Sequence, residues 1–535
     1  MSTAASTEAG PAAASTADLI ARLVQLLGRD RVATDARERL FAGTDVFRAG
    51  ELPAAVVRPG CVDHLQQIVR LCAEYATPLT VRGGGASYTD GYGHRHAGGV
   101  TIDTRDFAAI VEIDEANAYV TVQAGCTWAA LHEALSARGF RTPFFGPFSG
   151  LVATVGGSMS QNAISHGTGA HGVSAQSALA FDIVTGTGDL LRTGTAGNRV
   201  AKPFFRFFGP DMAGLFTGDC GALGIKAHIT LPIIRRHEAF EAASFAFDDF
   251  AGMHGAMRAI AVEQLDDENF ALDQTLQRGQ LGRQEGLGNK LGMAKSVLAS
   301  ADSLGSGLTR IAKMAAAGDR DLRGGAYVSH YVIEAVDRAA AQAKRKRLTA
   351  IAKGFGREIA NSVPTVVRGM PFAPLTNTLG PQGERWVPMH GLFPHDAVVD
   401  FHQALRAYFE RKAELMDRFG IVAGGMFMSV GPTAFVYEPA FYWPDARTVY
   451  HEREVPSAHL ENLPVHAARE GATAAIAEIR GEIAHLMQDF GAAHLQIGKV
   501  YGYLPDRNPA SVALLKAVKA ELDPHGILNP GALGL

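Results

Sequence analysis

The sequence predicts a mixed α+β chain in two parts, and two observations carry that reading. In the first part, the apolar run Ala54-Ala55-Val56-Val57, an amphipathic helix and the run Leu79-Thr80-Val81 form a β-α-β unit that opens straight into a glycine-dense loop. Beyond Leu231-Pro232 the pattern changes: two β-α-β units follow one another, which suggests a ferredoxin-like antiparallel sheet.

With 535 residues and 47% hydrophobic content, the chain has material for about two to four domains with real cores. A formal net charge of −4 gives no general pull toward nucleic acid. The basic run Lys344-Arg345-Lys346-Arg347 sits in an alanine-rich helical stretch and reads as a solvated face. The cysteines Cys61, Cys72, Cys126 and Cys220 form no C-x-x-C pair, which argues against a thiolate zinc site and a disulfide scaffold and for a reducing, cytoplasmic compartment. Met1 to Ala17 has neither the basic start nor the apolar core of a signal peptide and reads as a flexible tail. No window offers the roughly 18 apolar residues that span a bilayer, so the expectation is a soluble or peripheral protein.

Taken in order, Leu19, Ile20, Leu23, Leu26 and Leu27 recur at helical spacing in an opening helix from Asp18 to Leu27. The helix of the β-α-β unit runs from Val62 to Tyr75, with Leu65, Ile68, Val69 and Cys72 on one face. Strands follow at Gly99 to Asp103, Ala109 to Ile113 and Tyr119 to Gly125, then a helix from Trp128 to Arg138 that Gly139 stops. Asp182 to Thr185 and Leu190 to Arg192 read as a hairpin, and Ala227 to Leu231 as a strand. In the second part the strands are Phe240 to Phe247, Tyr327 to Val332, Trp386 to His390, Gly425 to Val430 and Ala434 to Glu438. Its helices are Gly252 to Val262, one ending at Lys353, and Ala397 to Phe419.

Three segments are rich in glycine and hydroxyl residues. The first is Arg82-Gly83-Gly84-Gly85-Ala86-Ser87, where glycines let backbone N–H groups approach and cradle an anion. It fails the dinucleotide fingerprint of a Rossmann unit, because Tyr88 stands where the third glycine belongs. The second contains Ser149, Thr154, Gly156, Gly157, Ser160 and Asn162, and the third is Gly221-Ala222-Leu223-Gly224-Ile225. The chain closes on Leu522-Asp523-Pro524-His525-Gly526-Ile527-Leu528-Asn529-Pro530-Gly531.

These four segments, in this order, resemble the vanillyl-alcohol oxidase and p-cresol methylhydroxylase (PCMH) superfamily of flavoproteins. The N-terminal half looks most like its D-lactate dehydrogenase, glycolate oxidase and alkyl-dihydroxyacetone-phosphate synthase branch. The resemblance is sharp over about the first 230 residues and the last 15. It implies a two-subdomain PCMH-type FAD-binding domain over 18–234 and a ferredoxin-like cap shaping the substrate site over 235–490. A segment over 491–535 is expected to return to the FAD domain.

It also implies roles. Arg82, Gly83, Gly84, Gly85, Ala86 and Ser87 resemble the pyrophosphate loop. Ser149, Thr154, Gly156, Gly157, Ser160 and Asn162 resemble a second wall. Gly221, Gly224 and Ile225 resemble the adenine and ribityl stretch, with Asn529 returning beside the cofactor. Members that tether FAD through the first loop carry histidine where Ala86 stands, so a noncovalent flavin is expected; a tether from His390 or His395 in the cap stays open.

For chemistry, oxidising an alcohol requires a base for the hydroxyl proton, and His390 is the first choice. Arg368, Lys499 and Tyr503 suit a carboxylate anchor; Arg368, Tyr501 and Tyr503 suit a phenolate. No metal is expected, although His390, His395 and Glu438 imitate the histidine pair and carboxylate of the lactate branch without its intervening Gly-Asp-Gly-Asn. The expected function is FAD-dependent removal of hydride from a hydroxyl-bearing carbon of a 2-hydroxy acid or another small alcohol. Para-substituted phenols or benzylic alcohols are the alternative, and a redox-neutral alkyl-glycerone-phosphate synthase-like reaction stands behind both. Oxygen, a quinone and a cytochrome all stay open as electron acceptor. The stretch near 286–317, apolar with interspersed lysine and arginine, reads as a helical insertion, a homodimer contact or a surface resting on the inner membrane.

Overall fold

The computed structural model describes residues 15–277 and 325–535. The tail up to residue 14 and the stretch near 286–317 lie outside them. Thr16 and Ala17 belong to the opening helix, Thr16–Leu27, and Ser15 caps it. Ser15 Oγ accepts from the Asp18 amide at 3.2 Å while the Asp18 carboxylate accepts from the Ser15 amide, a reciprocal cap that starts the helix early.

Four strands make the first sheet: β1 (Val32–Ala33), β2 (Ala55–Val57), β3 (Leu79–Arg82) and β4 (Val100–Asp103), in the order β1-β2-β4-β3. β2 and β3 both run parallel to β4, and the helix Val62–Glu74 crosses between them. Its residues Leu65, Ile68, Val69 and Cys72 are fully buried, and such burial stabilises by about 1.5–3 kcal/mol for each large side chain. An aspartate at Leu65 would leave an unpaired charge in that core and break the unit. The parallel arrangement sends the chain out of β3 at the carboxyl edge of the sheet, where the glycine loop begins.

The second sheet contains β5 (Ile110–Asp114), β6 (Tyr119–Gln123), β8 (Ala180–Val184), β9 (Leu190–Arg192) and β10 (Ile225–Pro232), ordered β5-β6-β10-β8-β9 and wholly antiparallel. A short pair, β7 (Phe140–Arg141) with β11 (Ile234–Arg235), lies beside it.

Among the described residues, the later part is built on one eight-stranded antiparallel sheet. β12 (Ala239–Phe247), β13 (Glu268–Asp273), β14 (Tyr327–Ala335) and β15 (Arg357–Ile359) stand in the order β15-β12-β14-β13, with helices Phe250–Val262 and Arg338–Ala352 in the crossovers. That is the ferredoxin-like strand order. β18 (Val422–Val430), β19 (Ala434–Trp443), β16 (Arg385–Pro388) and β17 (Gly391–Phe393) extend it from the β13 edge.

Strand alternation gives this sheet two faces. Tyr331, Phe427, Tyr437, Phe441 and Trp443 join a core with the helices Phe250–Val262, Val398–Arg411 and Ala472–Asp489. The other face, with Phe270, Leu272, Met426, Met428, Glu438 and Tyr442, looks onto a cavity shared with the N-terminal part. The single helix read over Ala397 to Phe419 is broken at Lys412, whose ψ of 6° ends the first piece. Among the described residues no helix is long and apolar enough to cross a membrane.

Candidate functional site

The cavity holds about 530 Å³ between the two parts of the molecule. One wall is the loop leaving β3. A Cβ on Gly84 would collide with the Val152 carbonyl, and one on Gly83 with the Thr154 hydroxyl, so only glycine lets the two loops close on each other. The N–H groups of Gly83, Gly84, Gly85, Ala86 and Ser87 meet no acceptor among the described residues, and all five residues line the cavity. Ser149, Thr154, Gly156, Gly157 and Ser160 line it next; Thr154 Oγ1 caps the helix Val155–Gln161 by accepting from Gly157 N at 3.2 Å.

Gly221, Gly224 and Ile225 complete this wall, and the amides of Gly221 and Gly224 also meet no described acceptor. The chain's last segment closes the end: Asn529 Nδ2 donates to Gly91 O at 2.9 Å and to Cys220 O at 2.6 Å, tying the first and third loops together. Its Oδ1 is buried without a partner. Lys226 lines the cavity but is bonded to Asp219 at 2.6 Å. An elongated dianion held by backbone amides fits this donor set: unpaired N–H groups face it, and glycines leave room for its approach.

Two residues read as part of that wall stand behind it. Arg82 is fully buried, donates Nη2 to Glu454 at 3.1 Å and stacks 4.3 Å over the Phe41 ring, so it supports Gly85 from outside the cavity. Asn162 terminates its helix in the left-handed conformation, φ 55°, and does not line the cavity.

The opposite wall is the cap sheet with the helix Ser362–Gly369, whose Val363, Val366 and Val367 face inward. None of the five residues expected to carry catalysis lines the cavity. His390 donates Nε2–H to Leu495 O at 2.6 Å, and burial pushes its pKa down to about 3. Tyr501 Oη accepts from the His390 amide at 2.8 Å under a stacked His494 ring. Arg368 pairs with Glu334 at 2.7 Å and donates to His237 O. Lys499 donates to Gly93 O, and burial lowers its pKa to about 8. Tyr503 lies under the Arg507 guanidinium, 3.8 Å from its ring centre.

Nor do His390, His395 and Glu438 meet as metal ligands. His395 Nδ1 accepts from His254 Nε2 at 3.0 Å while its Nε2 donates to Pro432 O, and no group of three metal-capable side chains occurs among the described residues.

Glu438 is the acid that does reach the cavity. It stands in β19 opposite Met426, on the face shared with Ala440 and Tyr442. No described donor bonds its oxygens, and burial alone pushes its pKa up to about 8. Its charge bears on the phenols Tyr88 and Tyr501, raising the pKa of each. Trp386 and Tyr88, edge to face at 6.1 Å, and Gln496 complete this end. Period-two alternation through Ala434 to Trp443 puts Glu438 and Tyr442 on one face and Phe441 and Trp443 on the other, a signal already present in the sequence.

Comparison with known proteins agrees with this geometry. Residues 53–194 match the FAD binding domain family, and residues 499–533 match the C-terminal domain of FAD linked oxidases. The chain is 28% identical over 224 residues to glycolate oxidase subunit GlcD of Bacillus subtilis, covering 42% of this chain and 46% of that protein. It is 28% identical over 261 residues to the mitochondrial D-lactate dehydrogenase [cytochrome] of Arabidopsis thaliana, covering 47% of this chain and 44% of that one. The match thus spans less than half the length of these curated relatives.

Among solved structures, p-cresol methylhydroxylase with substrate bound superposes with a TM-score of 0.69 at 17% identity, covering 97% of this chain and 96% of the other. An alkyldihydroxyacetonephosphate synthase gives 0.65 at 15%, covering 99% and 87%. The chain thus combines an FAD-binding domain with the C-terminal domain of FAD-linked oxidases in the PCMH-type fold, and its cofactor is FAD.

Proposed function

We propose that this FAD-linked oxidoreductase oxidises a neutral, apolar or aromatic alcohol, with Glu438 taking the hydroxyl proton. The observation that carries the reading is a half-buried carboxyl with no hydrogen-bond partner among the described residues, raised to about 8 and opening on an apolar cavity wall. Such a group is a competent base near neutral pH. FAD, when bound, supplies a two-electron acceptor for the carbinol hydride. The hydroxyl proton passes to Glu438, and the carbon–oxygen bond becomes a carbonyl. Phe148, Phe270, Met426, Met428 and Val367 exclude water from that end.

Neutrality of the substrate follows from charge. Among the described residues that line the cavity, Lys226 is the one lysine or arginine, and Asp219 already neutralises it. A 2-hydroxy acid would bring its carboxylate against apolar walls and Glu438, and the phosphate of a glycerone-phosphate substrate would meet the same lack of cations. Benzylic alcohols suit the aromatic lining of Trp386, Tyr442 and Tyr88.

FAD is held without a covalent bond in this reading. Ala86 offers no nucleophile, and Cys220, which lines the cavity, has its thiol pKa raised to about 12 by burial. The test is anaerobic mixing of the holoenzyme with benzylic alcohols, D-lactate, D-2-hydroxyglutarate and 4-ethylphenol, followed through the visible flavin band. Bleaching by the alcohols is expected. Bleaching by a hydroxy acid alone, or by the phenol alone, overturns the reading.

A further inference from the structure

The Tyr88 ring enters the cavity from the glycine loop, held edge to face against Trp386 at 6.1 Å and His390 at 6.5 Å. Its carbonyl accepts from the buried Arg480 Nη2 at 2.8 Å, which fixes the backbone beneath it. Its hydroxyl oxygen accepts from Gln496 Nε2 at 3.1 Å. That bond uses an oxygen lone pair and leaves the hydroxyl proton unspoken for: no described acceptor takes it.

Gln496 is itself placed at a cost. Its φ of 45° lies in the left-handed region that non-glycine residues seldom occupy, and its amide donates to Gln161 O at 2.7 Å. A strained backbone thus aims an amide at a phenol, and Tyr88 and Glu438 line the same cavity, near enough for the carboxylate charge to raise the phenol's pKa.

We infer that Tyr88, oriented by Gln496, is the catalytic donor that binds the substrate hydroxyl, the oxygen accepting from Tyr88 Oη while its proton goes to Glu438. This rests on the alcohol reading above. As the proton leaves, negative charge grows on the substrate oxygen, and a donor already in place strengthens with it. The hydride leaves the same carbon for FAD, so one proton and one hydride balance the new carbonyl. Burial and the neighbouring carboxyl raise the Tyr88 pKa, so the phenol keeps its proton across the working range and stays a donor.

The experiment uses FAD-loaded protein and two ligands: a primary benzylic alcohol, and a tertiary benzylic alcohol that has no carbinol hydrogen. Binding of the tertiary alcohol is read from the perturbation of the flavin spectrum, independently of turnover. Tyr88→Phe is expected to weaken that binding about tenfold. It should slow anaerobic flavin reduction by the primary alcohol about a hundredfold, because the bond is stronger in the transition state. The dependence of the rate on Glu438 ionisation should remain. Gln496→Glu, nearly isosteric, gives the phenol an acceptor and turns its proton away from the cavity, so it should reproduce most of both losses while retaining FAD.

If Tyr88→Phe and Gln496→Glu both stay within about twofold of wild type in binding and reduction, the inference falls and the alcohol reading stands. If no alcohol reduces the wild-type flavin, both fall together.

Discussion

Arg82 and Glu454, 372 residues apart in the chain, meet at 3.1 Å directly behind the glycine loop. The Arg82 guanidinium occupies the space that a side chain on Gly85 would require, and Phe41 and Tyr92 cover its faces. The loop is thus shaped from behind by an ion pair and presents at its front amides with no acceptor among the described residues.

Glu454→Gln should leave Arg82 as a buried, undercompensated cation. A loss of about 3–5 kcal/mol is expected, reduced by whatever Asp103 recovers. Thermal unfolding of the apoprotein should show it, and FAD should bind more weakly because the loop loses its rear support. An unchanged melting temperature would show that the pair contributes nothing.

Gly84→Ala should abolish FAD retention, since its Cβ would collide with the Val152 carbonyl and push apart two cavity walls. Gly481→Ala is the matched control: it lies in the helix Ala472–Asp489 with nothing near its Cβ. That variant should keep its flavin and gain about 0.5–1 kcal/mol from the better helix former. Flavin content per protein after purification separates the two.

Glu438 gives two pH dependences of opposite sense. As a base it must be ionised, so the flavin reduction rate should rise with pH through about 8, and Glu438→Gln should remove that rise with most of the rate. Stability runs the other way. The unfolded chain releases this proton near the reference value of 4.5, the folded chain only near 8, so between them the folded state binds more protons and loses stability as pH rises. Glu438→Gln should therefore melt higher than wild type at pH values above 8.

Acid precipitation of the holoenzyme should leave FAD in the supernatant, because Ala86 stands where a histidine tether would be. A yellow pellet would point to another attachment. Cys220 would be the first residue to substitute, despite its raised pKa, since it lines the cavity.

The β-α-β unit and the clean alternation of Tyr119 to Gln123 were legible because each combines a strong local period with glycine or proline at its ends. β13, Glu268–Asp273, was not read from the sequence: it mixes charged and apolar residues, and part of its polar bonding comes from far along the chain, with Glu268 bonded to His166 at 2.8 Å and Asn269 donating to the Ser429 carbonyl. The position of His390 outside the cavity has a related cause. Histidine type and a cluster of aromatics drew attention to His390, but whether a ring nitrogen faces a cavity or a backbone carbonyl such as Leu495 O depends on a residue 105 positions away.

By itself the sequence determined most of the elements and the glycine and hydroxyl residues that line the cavity: glycine spacing, hydroxyls and the alanine at Ala86 are local facts, because backbone approach needs nothing beyond the absence of a side chain. Only the tertiary structure decided which polar groups are spent and which are free. Arg368, Lys499 and His390 are bonded to partners distant in the chain, whereas Glu438 faces the cavity with none among the described residues, since burial and long-range pairing are properties of the packed chain.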